Sequence, residues 1–213
     1  MSVSTQNPLV SDVTRSKVPL MGFILLILVT IITGAVVGGI VAASAFYVVY
    51  VIFAFPALMG LIAGGAISRA AKMGKVRSVG MITLFAILTG LLMYGVYRYG
   101  EYIFFRQKVA DAVVAQYGTK LTPDQIQQGI DKLFVQEVGA PGFLGFLNYY
   151  AKQGEGLKFG SYSSVSDNSP ATLTLTGTAA WIYWGAEILL ITGLAAFQAR
   201  KAVDVPFCDR DNK

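Results

Sequence analysis

Histidine is missing from this chain altogether, and cysteine occurs once, at Cys208. The first absence removes the commonest metal ligand, the usual axial ligand of haem and the usual acid–base group near neutral pH, and with them Ser-His-Asp and Cys-His catalysis. The second excludes an intramolecular disulfide, since a lone thiol has no partner in its own chain. Neither a GxxxxGK[ST] nor a GxGxxG phosphate loop occurs, and no Cys-x-x-Cys pair. With no motif for catalysis or for a prosthetic group, the chain is expected to be no enzyme and to carry no cofactor. A quinone or pigment between aromatic helix ends is a third-ranked reading.

Charge is scarce as well. Only 14% of residues are charged against 54% hydrophobic, and mean hydropathy is +0.58. That leaves too little polar surface to solvate a 213-residue globule. Charge is absent from residues 18–68 without interruption. As one helix that stretch would be about 76 Å long, more than twice the ~30 Å hydrocarbon core of a bilayer, so it must cross a membrane twice. Residues 79–97 are again uncharged, and residues 173–199 carry only Glu187. The expected fold is therefore an all-α integral membrane protein with four transmembrane helices, and a small, mainly helical extracytoplasmic loop region between the third and fourth. The divisions are an N-terminal tail (1–17), three spans (18–105), the loop region (106–177), the fourth span (178–199) and a C-terminal tail (200–213).

The net charge of +5 could suggest nucleic acid, but the basic residues are placed for another purpose. Arg15 and Lys17, then Arg69, Lys72, Lys75 and Arg77, then Arg200, Lys201, Arg210 and Lys213 flank the apolar spans, whereas residues 106–177 hold as many acids as bases. Short basic flanks around a long neutral loop are the positive-inside pattern. Both termini and the connection at 69–77 are expected in the cytoplasm of a cell whose inner or plasma membrane holds the protein, and two cytoplasmic termini require an even number of crossings. Ala43-Ser44-Ala45 has the small residues of a signal-peptide cleavage site, but the apolar stretch before it exceeds the ~7–15 residues of such a signal, so no cleavage is expected.

Gly38-Gly39 lowers helix propensity, so the first hairpin is expected to turn between Gly38 and Ser44 and the second span to run from about Ala45 to Ser68. Pro56 would then kink that span, with Tyr47 and Tyr50 at the outer interface; a turn nearer Pro56 is the second choice. Gly34 and Gly38 form one GxxxG pair and Gly60 and Gly64 another, positions that let backbones approach closely. The third span leaves the bilayer through Tyr94, Tyr97, Tyr99 and Tyr102, with Arg98 and Glu101 on one helical face at headgroup level. Trp181, Tyr183 and Trp184 open the fourth. Tyr94, Tyr97, Arg98, Trp181 and Trp184 are thus expected as interface anchors.

Beyond Tyr102, apolar positions continue at helical spacing through Val109, Val113, Val114 and Tyr117 to Gly118, so the third helix is expected to project from the membrane. In the loop, Thr122-Pro123-Asp124-Gln125 reads as an N-cap, a proline at N1, an acid in the first turn and the glutamine of a capping box. Ile126, Ile130, Leu133 and Phe134 follow as one apolar face, ended by Gly139. A second short helix from Pro141 carries Phe143, Leu144, Phe146, Leu147 and Tyr150, suited to the membrane surface or to the spans. Thr172-Leu173-Thr174-Leu175-Thr176 alternates like a short strand.

Glu187 lies near the middle of the fourth span, where a charge costs at least ~3 kcal/mol, so it must face the bundle or a water-filled cavity. It reads either as a proton- or cation-handling carboxylate or as an acid that holds helices together. As a neutral hydrogen-bonding acid it would use Thr30, Thr33, Thr83, Thr89 or Tyr94; as an ion-paired one, Arg98 is the nearest cation. No other ionisable group is expected deep within the spans.

Gly142-Phe143-Leu144-Gly145-Phe146-Leu147, the run Trp181-Ile182-Tyr183-Trp184 with Glu187 three positions on, and Pro206-Phe207-Cys208 resemble segments of a loosely defined set of bacterial four-span membrane proteins. The resemblance covers about a fifth of the chain and implies the four-span fold, without an activity. Members of that set often end in a Cys-x-x-Cys knuckle; here Asp211 stands at the position matching the second cysteine, so no metal is expected. The function expected from these readings is that of a non-catalytic accessory, assembly or scaffolding subunit. Its partners would be the lipid bilayer and other membrane subunits or further copies of itself. The alternative is a small transporter or channel that uses Glu187.

Overall fold

The computed structural model describes residues 19–47, 53–117, 122–157 and 173–201. Six helices run through them: α1 Leu20–Tyr47, α2 Ala54–Met73, α3 Val79–Tyr117, α4 Pro123–Val138, α5 Gly142–Gln153 and α6 Thr178–Arg200. Strands β1 Glu155–Leu157 and β2 Leu173–Leu175 form a two-stranded antiparallel ribbon, with Gly156 opposite Thr174. The readings that involve the tails, Tyr50, Gly118 and the Pro206-Phe207-Cys208 segment with Asp211 fall outside the described residues.

Four helices, α1, α2, α3 and α6, are long and apolar enough to cross a membrane. They pack around a core that includes Leu26, Met59, Ile67, Ile82, Ala86, Met93, Ile191 and Ala195. Their outward faces are apolar too: Leu28, Ile32, Val36 and Ile40 on α1, Leu58 and Leu61 on α2, Leu84 and Leu88 on α3, and Leu189 and Phe197 on α6 are all exposed. An apolar coat of that extent is an aggregation liability in water and is solvated by lipid tails.

The helices associate in two same-direction pairs. Along α1 and α3, Gly34 lies against Leu92, Gly38 against Met93 and Val96, and Ala42 against Gly100. Along α2 and α6, Gly60 meets Ile191 and Leu194, and Gly64 meets Ala195 and Gln198. A Cβ at Gly38 would stand 2.5 Å from the Met93 carbonyl oxygen, and one at Gly64 would stand 2.6 Å from that of Ala195. Hydrogen is therefore the only side chain that fits without separating the helices.

These contacts correct the expected first turn. Gly38 and Gly39 lie inside α1, which continues unbroken to Tyr47, and the second span begins only at Ala54. The entropic cost of glycine in a helix is real, but here the close approach of α3 offsets it at Gly38. Pro56 sits in the first turn of α2, where no intrahelical acceptor is due for its nitrogen, so it starts the helix and does not kink it.

α3 has 39 residues, about 58 Å, and the part beyond Phe104 extends past the bundle core. There α4 and α5 form a cap on it. Thr122 Oγ1 accepts from the Gln125 N–H at 3.3 Å while Gln125 Oε1 accepts from the Thr122 N–H at 2.9 Å, which is the expected capping box. Gly139 ends α4 at φ 77°, a left-handed conformation that favours glycine. The Asp131 carboxylate then accepts from the Gly142 N–H at 3.1 Å, tying the start of α5 to α4. Ile126, Ile130 and Phe134 are buried with Tyr102 and Phe146, whereas Leu133, expected on the same face, is exposed. Phe105 stacks on Phe134 at 5.9 Å, and Phe146 lies 5.5 Å from Tyr102, so α5 packs on the extension of α3. A third cluster, Ala151, Ala180, Tyr183 and Trp184 with Leu147 and Leu175, joins α5 to the start of α6.

Candidate functional site

The charged residues inside the bundle meet where those three cores join. Arg98 follows Tyr94 by one helical turn on α3 and precedes Glu101 by three residues; Tyr183 precedes Glu187 by one turn on α6. These spacings place donors and acceptors on facing sides of two packed helices. Arg98 Nη2 lies 3.2 Å from Glu187 Oε2, and Arg98 Nη1 lies 2.8 Å from Glu101 Oε2. Arg98 Nε donates to the Tyr94 hydroxyl at 3.0 Å, and that hydroxyl donates onward to Glu187 Oε2, also at 3.0 Å. Tyr183 donates to Glu187 Oε1 at 2.6 Å, and Tyr97 to Glu101 Oε1 at 2.7 Å. One guanidinium thus bridges two carboxylates, and each carboxylate also receives phenolic hydroxyl donors.

Burial makes this arrangement consequential. Glu187 is fully buried and Arg98 is 4% exposed. A lone charge in such surroundings is strongly penalised, and only pairing with good hydrogen-bond geometry compensates it. The guanidinium is further sheltered by aromatic faces: its central carbon lies 4.7 Å from the Trp184 ring centroid, 5.2 Å from Tyr97 and 5.3 Å from Tyr94. Such faces attract a cation electrostatically. Among the described residues, no buried side-chain nitrogen or oxygen is without a hydrogen-bond partner.

The expected anchors therefore divide. Tyr94, Tyr97, Arg98 and Trp184 turn inward and are buried: the first three meet the Glu187 or Glu101 carboxylate, and Trp184 lies against the Arg98 guanidinium. Trp181, stacked edge-on against Trp184 at 4.8 Å, has the exposure an anchor needs. Arg98 pairs with Glu187, so Glu187 is not the single ionisable group at its level in the bundle. Of the neutral partners considered for Glu187, Tyr94 is in contact. The Thr30 and Thr89 hydroxyls instead face each other at 3.0 Å across α1 and α3, and Thr83 accepts from Arg200 Nε at 3.4 Å.

Tyr183 and Glu101, expected at the membrane interface, join Tyr94 and Arg98 in the site around Glu187. Their signals were present, as Tyr-x-x-x-Glu on α6 and Tyr-x-x-x-Arg-x-x-Glu on α3, both at the helical period. Gly34, Gly38, Gly60 and Gly64 lie at helix contacts within the bundle, and their nearest neighbours are not side chains of this cluster.

Chemically, the cluster links α3 to α6 through one guanidinium shared by the Glu101 and Glu187 carboxylates. No group of three or more potential acidic or cysteine metal ligands occurs among the described residues. No protein family, curated protein or solved structure matches the chain.

Proposed function

We propose that this chain is a non-catalytic integral membrane protein acting as an accessory, assembly or scaffolding subunit. In this reading α1, α2, α3 and α6 are the anchor, and the α4–α5 cap is the surface offered to partners. The observation that carries it is the cap itself: a helical unit with its own aromatic core, fastened to the anchor through α3, that leaves Leu133, Val135 and Leu144 uncovered. Apolar side chains on a rigid polar-rimmed surface are the usual means of docking another protein. The ion-paired state of Glu187 favours a structural carboxylate over a mobile one.

Orientation follows from charge. Arg69, Lys72, Lys75, Arg77, Arg200 and Lys201 collect at the end of the bundle opposite the cap, which supports a cytoplasmic turn and an extracytoplasmic cap. Extraction into lipid nanodiscs tests the subunit role. The expected particle is larger than one chain, from other subunits or further copies, and Leu133→Asp with Val135→Asp releases the partner. A strictly monomeric particle from native membranes overturns the proposal.

One observation favours a second reading, ion handling: partly exposed Glu101 and fully buried Glu187 share the same guanidinium, so charge is arranged along the bundle axis. Proteoliposome flux separates the two roles. Proton or cation flux in the parent that disappears in Glu187→Gln establishes transport; absence of flux in the parent removes it.

A further inference from the structure

A cleft of about 450 Å³ lies between the projecting half of α3 and α4. Its volume falls within the range of small-molecule sites, ~300–1,000 Å³. The walls are mixed: Ile103, Ile126 and Ile130 are apolar, while Arg106, Asp111 and Gln127 are polar. Arg106 and Asp111 have opposite charges yet form no ion pair, with each other or with any described residue. Among the described residues the one polar partner of Arg106 is the Tyr102 hydroxyl, 3.5 Å from Nη1, and its guanidinium lies over the Tyr102 ring at 5.3 Å. A cation held in place by an aromatic ring, and an anion about 7.5 Å further along the same helix, thus line the cleft with no ion-pair partner among the described residues.

The cleft also opens toward the spans. Leu88, Leu92, Tyr99 and Ile103 recur at helical spacing on α3 and are all exposed, so an apolar stripe runs from the flank of the bundle to the mouth of the cleft. With α3 entering a ~30 Å hydrocarbon core at Val79, that stripe faces acyl chains and the Ile103–Arg106 end of the cleft, about 36–40 Å along the helix, stands at headgroup level. We propose that the cleft seats the headgroup of a zwitterionic membrane phospholipid of the phosphatidylethanolamine type. Its phosphate is held by Arg106, its primary ammonium by Asp111 and Gln127, and an acyl chain runs down the stripe past Ile103. A guanidinium suits a phosphate through paired N–H donors. Asp111 disfavours a purely anionic headgroup, and a quaternary ammonium has no N–H to give it.

The inference rests on the membrane placement of the four helices and is independent of the subunit role. The test uses the full chain in detergent, with equal concentrations of phosphatidylethanolamine, phosphatidylcholine and phosphatidylglycerol added and bound lipid read by native mass spectrometry. The parent is expected to retain phosphatidylethanolamine at least threefold over either competitor. Arg106→Gln should lower retention of all three at least fivefold, and Asp111→Asn should abolish the preference over phosphatidylcholine while total binding falls less than twofold. Both side chains lie outside the cores, and helicity measured by circular dichroism verifies that the variants are folded. Absence of retained lipid in the parent, retention without headgroup preference, preference for phosphatidylglycerol, or an Arg106→Gln protein that binds like the parent each overturns it. Partner release in the Leu133→Asp and Val135→Asp protein is a separate readout, so failure of one proposal leaves the other distinguishable.

Discussion

At the scale of single residues, Glu187 decides how the bundle tolerates charge. Removing one partner of a buried pair leaves the other uncompensated, at about 3–5 kcal/mol, whereas losing one interhelical hydrogen bond costs only about 0.6–1.7 kcal/mol. Glu187→Gln is isosteric and still hydrogen-bonds, yet it strips Arg98 of a countercharge 3.2 Å away. Because Glu101 stays on the guanidinium, the loss should lie near 3 kcal/mol, and Tyr183→Phe, which removes one hydrogen bond within α6, should cost less, about 1–2 kcal/mol. Equilibrium unfolding of both variants in one mixed detergent checks this, and a nearly neutral Glu187→Gln would return the residue to a protonated, merely hydrogen-bonding role. Combining Arg98→Leu with Glu187→Leu should cost clearly less than the sum of the single changes, since no lone charge remains between the two positions. The carboxylate was legible from the sequence because it interrupts an apolar span; its partner was not, because that depends on which face of α3 turns toward α6.

At the scale of elements, the glycines show where sequence reading succeeds and where it stops. The GxxxG spacing identifies close-approach positions, but nothing in it says which helix approaches, and Gly34 and Gly38 serve α3 while Gly60 and Gly64 serve α6. The same ambiguity misplaced the first turn, since a glycine pair reads equally as a breaker and as a contact. Neighbouring glycines supply the control. At Gly39 and Gly65 an added Cβ meets nothing within 4 Å. Gly39→Ala and Gly65→Ala should therefore be neutral or stabilising by up to about 1 kcal/mol through helix propensity. Gly38→Ala and Gly64→Ala should destabilise by about 1–3 kcal/mol, because backbone carbonyls must move. Thermal melts of the four variants distinguish the classes, and equal effects at Gly64 and Gly65 would contradict the α2–α6 packing. In the cap, local chemistry was fully legible: Thr122, Pro123 and Gln125 dictate a helix start irrespective of tertiary contacts. Thr122→Ala should cost about 1 kcal/mol and speed hydrogen exchange in the first turn of α4, with little change in α1.

For the whole molecule, length and hydropathy sufficed for four spans, because a bilayer imposes a fixed thickness on every crossing. The pairing of α1 with α3 and of α2 with α6 was beyond reach, since lipid-facing and core-facing positions are equally apolar and periodicity carries almost no contrast. Orientation depends on one asymmetry: bases at the end of α2, in the α2–α3 turn and at the end of α6, against balanced charge over residues 106–177. Lysine and arginine resist translocation, so the end carrying Lys72 should stay in the cytoplasm and the cap should emerge on the other face. The two ends carry exposed positions suited to labelling, Lys72 on α2 and Gln128 on α4. In a Cys208→Ser background, Gln128→Cys should react with a membrane-impermeant maleimide in intact cells, and Lys72→Cys only after permeabilisation. The reverse pattern would invert the protein in the membrane and place the cap, and any partner it recruits, in the cytoplasm. Labelling of both positions in intact cells would be incompatible with an odd number of crossings between them, and so with α3 as a span.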